Sequence, residues 1–277
     1  MQENLPYYSE PGRGRDETPP TDNRRLLLLA TLVAVGLFFI PYSDYLLYPL
    51  RLFVTFIHES GHAMAALLTG GSVDSLHVSP SGSGVTWVRV SPIWSWVSLS
   101  GGYVGAALFG ALLLQAGRLT RLRNAGRTTL YAAAFYILGI TLLWAHNPFN
   151  NPQNGITGGA SPDFFTFLAG MCLFLLLFAT ARLSSPRFAS FLAAFLAVQC
   201  SLNALVDLRT LLFITTNNLG DNDAVFMSQH YLLPPTFWAL LWAGMALTVI
   251  GVSLWRYNRA ISAQLRDQGR YEPRQLE

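Results

Sequence analysis

Two histidines and a glutamate stand in the run Val54-Thr-Phe-Ile-His58-Glu59-Ser-Gly-His62-Ala-Met-Ala-Ala-Leu-Leu-Thr69, inside an apolar stretch long enough to lie within a membrane. Ionisable groups at bilayer depth cost about 2.5 kcal/mol or more each, so a cluster of three requires a compensating partner. On a helix, residues four apart share one face at about 6 Å, which lets the imidazoles of His58 and His62 grip one metal ion. Glu59 then flanks that ion. A set of histidines merely hydrogen-bonded to neighbouring helices, beside a protonated glutamate, would explain neither the spacing nor the clustering.

The chemistry attached to H-E-x-x-H is specific. Both histidines are zinc ligands, and the intervening glutamate is the general base that deprotonates a zinc-bound water. The sequence therefore predicts a Zn2+ cofactor held by His58 and His62, with Glu59 as the catalytic residue.

The rest of the chain fits a bilayer. Of its residues 52% are hydrophobic and 12% charged, and the apolar ones fall into the runs Leu26–Ile40, Tyr45–Thr69, Ile93–Ala116, Leu130–Ala145, Phe164–Ala181, Phe188–Ile214 and Phe237–Trp255. Several approach the roughly 20 residues that a span needs, so the expected fold is all-α, a polytopic membrane helix bundle of about six to seven helices. A soluble globule is excluded on composition. The expected location is the cell membrane, as a multi-pass integral protein in contact with the lipid bilayer.

Residues 1–25 read as a disordered polar N-terminal tail, 26–255 as the membrane-embedded domain, and 256–277 as a polar, arginine-rich C-terminal tail. Pro41 should end the first helix. Between the zinc-motif helix and the next apolar run, Gly70-Gly71, Pro80-Ser-Gly82-Ser-Gly84 and the alternating Val85-Thr-Trp-Val-Arg-Val90 predict a short β-hairpin rather than a helix. Cys172 and Cys200 lie in apolar runs and imply neither a disulfide framework nor a thiolate metal site.

Every basic residue is arginine, and the net charge of +3 is spread over tails and short loops. No face could track nucleic acid, which is excluded as a partner. The positive-inside bias places the Arg118–Arg127 loop, the Arg182–Arg187 loop and the C-terminal tail in the cytoplasm, with His146–Asp163 and Thr215–Pro235 outside. That assignment puts the arginine-rich N-terminal tail on the wrong side if Leu26–Ile40 crosses fully. One element must break the count, and the short Leu26–Ile40 run is the expected one, a re-entrant element after Thr69 being the alternative.

A catalytic zinc needs a third protein ligand and an open position. Asp207 is the expected ligand. It shares a helix face with Asn203, four residues earlier, which could orient the water or the substrate carbonyl. His62 and Asp207 each precede a helix-ending position by eight residues, Gly70 and Thr215, and so lie at matching depth, about 12 Å from a helix end. An ion pair with Arg209 is the bland alternative for Asp207. His146, at a helix end, is the second choice of ligand, while Asp163, Asp221, Asp223 and His230 read as solvated loop residues.

His58-Glu-x-Gly-His62-Ala, the following Gly70-Gly71 and a later helix with Asn203 and Asp207 resemble the site-2 protease family of intramembrane zinc metallopeptidases. With Ser100-Gly-Gly-Tyr103-Val-Gly105 the likeness narrows to its compact, bacterial peptidase-M50B-like branch. The resemblance implies zinc ligation by His58, His62 and Asp207, catalysis by Glu59, and a membrane protein as the partner whose peptide segment is cleaved. It also implies a metal nearer the cytoplasmic side, whereas the arginines favour the outer half. No proline follows Asn203, and Leu208 rather than glycine follows Asp207. These departures support a second reading, a zinc-binding membrane scaffold or regulator with weak or lost peptidase activity. A transporter using intramembrane polar residues as an ion path would spread them over several helices. A last expectation concerns the hairpin: strand Val85–Val90 could hold an unwound substrate by β-augmentation.

Overall fold

The computed structural model describes residues 20–37, 39–40, 42–117, 124–145, 162–217 and 222–271. Of 20–23, 43–44, 162–163, 203–217, 264–265 and 267–271 it describes the backbone alone. In chain order the elements are α1 (Pro20–Leu37), α2 (Ser43–Leu46), α3 (Tyr48–Leu68), β1 (Ser72–Val78), β2 (Gly84–Arg89), a 3-10 turn (Pro92–Trp94), α4 (Ser95–Ala116), α5 (Ala125–Trp144), α6 (Pro162–Leu183), α7 (Pro186–Asn217), α8 (Asp223–His230) and α9 (Pro235–Tyr271). The fold is a helical membrane bundle with one small antiparallel hairpin, as the apolar runs and turn signals predicted.

Among the described residues, four segments are long and apolar enough to cross a membrane: Pro92–Ala116, Ala125–Trp144, Phe164–Leu183 and Pro235–Ala263. Their outward faces carry Leu112, Phe135, Leu143, Leu175 and Leu247, all exposed. Such a surface is suited to acyl chains and not to water. Helix α3 is different. It carries Arg51, His58, Glu59 and His62, and it buries Phe53, Phe56, Ile57, Glu59, Ser60, His62 and Ala63 against its neighbours. A helix with ionisable groups at depth survives by being wrapped in protein.

Close packing of α3 on α4 depends on glycine. A Cβ on Gly61 would collide with the carbonyl oxygen of Gly101, and one on Gly101 would sit 2.5 Å from the carbonyl oxygen of Gly61. Small residues at such a crossing let two backbones touch where lipid offers no hydrophobic drive for helix association.

The hairpin folds back along α3. Gly70, at φ 77°, makes the turn out of that helix, in the left-handed region that glycine enters without a steric cost. Leu76 and Val78 of β1 are buried in the main core, and the amide of Val78 donates to Thr166 Oγ1 of α6 at 2.9 Å. The tip is fixed near the start of α3: Tyr48 OH donates to Pro80 O at 2.8 Å, and Thr55 Oγ1 to Gly82 O at 2.8 Å. Register pairs Leu76 with Thr86 and Val78 with Gly84. Strand β2 thereby lies alongside the zinc-motif turn of α3.

Two features differ from the sequence reading. Helix α9 continues to Tyr271, well past the expected end at Trp255, because Ala, Gln, Leu and Arg in Ala260–Arg266 are good helix formers once the chain leaves the apolar zone. The stretch expected as an external loop contains α8, whose start is capped by Asn222 Oδ1 accepting from the amides of Ala224 and Val225. Helix α1, the run expected to break the topological count, ends against the start of α3. Leu26 lies beside Gly117, Ser190 and Tyr257 at one end. Leu37 then packs with Leu47 and Leu50 on the cluster of Ala30, Ala34 and Phe195.

Candidate metal centre

One turn of α3 presents the motif. His58 Nε2 and His62 Nε2 lie 3.1 Å apart, and each is 3.5 Å from Oδ2 of Asp223, the first residue of α8. Donor atoms about 2.0–2.1 Å from one zinc at tetrahedral angles stand about 3.3 Å apart, so these three match a single tetrahedral ion with one position left over. Among the described residues this is the group of histidine, cysteine and acidic side chains with metal-holding geometry. The donor set, two imidazoles and a carboxylate, is that of a catalytic rather than a structural zinc.

Each donor is aimed by a neighbour. His62 Nδ1 donates to the carbonyl oxygen of Ser98 at 2.7 Å, which fixes the tautomer and leaves Nε2 as the free donor. The ring of His58 meets Tyr103 edge-on, at 4.8 Å between centroids, and Tyr103 stacks on Trp242 at 5.0 Å. Asp223 is held through its helix: Ala224 and Met227 of α8 are fully buried with Tyr103, Ala239 and Trp242. One aromatic platform from α4 and α9 therefore seats both His58 and the helix that bears Asp223.

Glu59 is 5% exposed and faces β2. Thr86 Oγ1 lies 2.7 Å from Glu59 Oε2 and 3.0 Å from Glu59 O, so the hydroxyl ties carboxylate and backbone to the strand. A Cβ on Gly84 would fall 2.5 Å from Glu59 Oε1. On the opposite side, a Cβ on Gly102 would collide with the Nε2 atoms of both histidines. The two glycines keep open the space around Glu59 and the two histidines.

Of the residues expected from sequence, His58, Glu59 and His62 come together. The side chains of Asn203 and Asp207, like all of His146 and Asp221, lie outside the described residues, as does the side chain of Asp163. Asp223, expected as a solvated loop residue, instead completes the ligand geometry. Its signal was present in the sequence as Asn222 followed by an acidic first-turn residue and Ala-Val-Phe-Met, a capped helix start too short for periodicity to reveal. Ser98, Thr86 and Gly102 had no such signal, since their role arises from the packing of α4 and the hairpin against α3.

A model of the family described as Peptidase M50B-like matches residues 28–253. The chain belongs to that family. No curated protein and no solved structure gives a significant match. Membership places the chain among the site-2 proteases, and the region matched in this M50B-like peptidase contains the motif helix, the hairpin and α8.

Proposed function

We propose that this M50B-like protein is a zinc metalloendopeptidase of the cell membrane, a multi-pass protein that hydrolyses peptide bonds in or near the transmembrane segments of other membrane proteins. The observation that carries this reading is the triangle of His58 Nε2, His62 Nε2 and Asp223 Oδ2, with sides of 3.1, 3.5 and 3.5 Å, beside a buried glutamate. Zinc bound there would polarise the scissile carbonyl and make an adjacent water more acidic. Glu59 takes the proton of the attacking water and returns it to the leaving amine, the two transfers expected of one general acid–base group. Thr86 keeps Glu59 turned towards that water.

The substrate segment must be unwound, because a helical backbone hides its carbonyls in its own hydrogen bonds. Strand β2 is paired by β1 on one edge, and among the described residues no strand pairs with the other. An extended segment added there would run past Glu59, with its carbonyls held by backbone amides.

The experiment is zinc content together with cleavage of a helical reporter by wild type and Glu59→Gln. Metal retained in both and a loss of about 100-fold or more in the variant supports the reading. Equal cleavage by the two proteins overturns it. Zinc binding with no cleavage by wild type would leave the scaffold reading.

A further inference from the structure

Most arginines among the described residues collect at one end of the bundle, and the metal centre lies near the other. Five contacts bring the helix ends together. Gln115 Nε2 in the last turn of α4 donates to Ser253 O of α9 at 2.8 Å, while Trp242 Nε1 donates to Ser100 Oγ at 2.8 Å, so α4 and α9 run parallel. Arg127, at the start of α5, donates to Ser184 O at the end of α6. A Cβ on Gly126 would fall 2.5 Å from the amide nitrogen of Ser190, which sets the starts of α5 and α7 side by side. Leu26, at the start of α1, sits beside Gly117, Ser190 and Tyr257. One face therefore holds Arg24, Arg25, Arg127, Arg182, Arg187, Arg256 and Arg259, and in sequence Arg118, Arg121 and Arg123 fall between α4 and α5.

The exceptions are local. Arg51 is spent on the hairpin tip, Arg89 pairs with Asp74, and Arg209 lies in the second half of α7. The metal centre is level with the start of α4: His62 meets Ser98, and His58 lies against Gly102. At 1.5 Å per residue, Ser98 is about 27 Å from Ala116 at the arginine end and only about 5 Å from Ser95. Tyr231, after α8, closes the same end by donating to Pro92 O at 3.1 Å.

Arginine at the ends of spans marks the cytoplasmic side of a membrane protein. We infer that the metal centre opens towards the exoplasmic face, so that its substrates are membrane proteins with a scissile bond at the outer end of a transmembrane helix or in the adjoining exoplasmic segment. The substrate part of this inference rests on the peptidase reading; the orientation does not.

Two measurements test it separately. In a background with Cys172 and Cys200 replaced by alanine, a cysteine is placed at Leu232, fully exposed at the site end, or at Arg266, exposed in the α9 extension. Intact cells are treated with a membrane-impermeant maleimide. Leu232→Cys should be labelled directly and Arg266→Cys only after permeabilisation; the reverse pattern overturns the inference. Single-span reporters are then co-expressed, with one glycine-rich, helix-breaking segment at the exoplasmic or the cytoplasmic end of the span. Cleavage of the exoplasmic reporter with loss of cleavage of the other is expected, and preference for the cytoplasmic one overturns the substrate assignment. If neither is cleaved while Leu232→Cys is labelled from outside, the peptidase reading fails and the orientation stands.

Discussion

The carboxylate of Asp223 reaches the two Nε2 atoms from a different part of the chain, and three donors at 3.1 to 3.5 Å leave no need for a second carboxylate at the ion. Asp223→Ala should therefore abolish stoichiometric zinc binding, whereas Asp207→Ala should keep it; metal analysis of the two purified variants decides between the carboxylates. Thr86→Val separates orientation from ligation. It removes the hydroxyl bonded to Glu59 without touching a donor, so zinc content should stay at the wild-type level while kcat falls by about tenfold or more, and an unchanged kcat would remove Thr86 from the site. At this scale the sequence was legible where the chemistry is local. His58, Glu59 and His62 could be read because one helical turn fixes their spacing. Asp223 could not be placed that way, because its position depends on how α8 packs against Tyr103 and Trp242.

Single helices and strands carry the next layer. Asn222 holds the first turn of α8, and loss of a side-chain cap costs about 1 kcal/mol, which corresponds to roughly fivefold weaker zinc binding if the cap serves to hold Asp223 in place. Asn222→Ala should show that loss in a competition titration with a chelator, and Asn222→Ser, which keeps a capping oxygen, should restore most of the affinity. The crossing of α3 on α4 is more demanding. Gly61→Ala forces a methyl into the backbone of Gly101, so the two helices must separate, which moves His62 away from Ser98. A clear fall in unfolding temperature together with loss of zinc is expected. The hairpin and the long spans were legible from turn residues and apolar runs. The extension of α9 was not, because it depends on where the membrane boundary falls relative to a helix whose local propensity continues through it.

For the whole molecule, the metal centre joins parts of the chain that are distant in sequence. His58 and His62 belong to α3, which is wrapped by α4 and the hairpin; Asp223 belongs to α8, seated on α4 and α9. A ligand that binds the folded protein alone stabilises it by RT ln(1 + [L]/Kd), and a zinc held across α3 and α8 needs the folded bundle to form its site. The free metal concentration should then set the unfolding temperature. Chelation should lower the transition of the wild type in a thermal scan in detergent, and added zinc should restore it, by an amount that grows with zinc concentration. Asp223→Ala should unfold near the chelated wild-type temperature and give no response to chelator. Glu59→Gln, which keeps all three donors, should respond as the wild type does, so a chelator shift in Asp223→Ala or its absence in Glu59→Gln would break the link between this ligand triangle and the stability of the bundle.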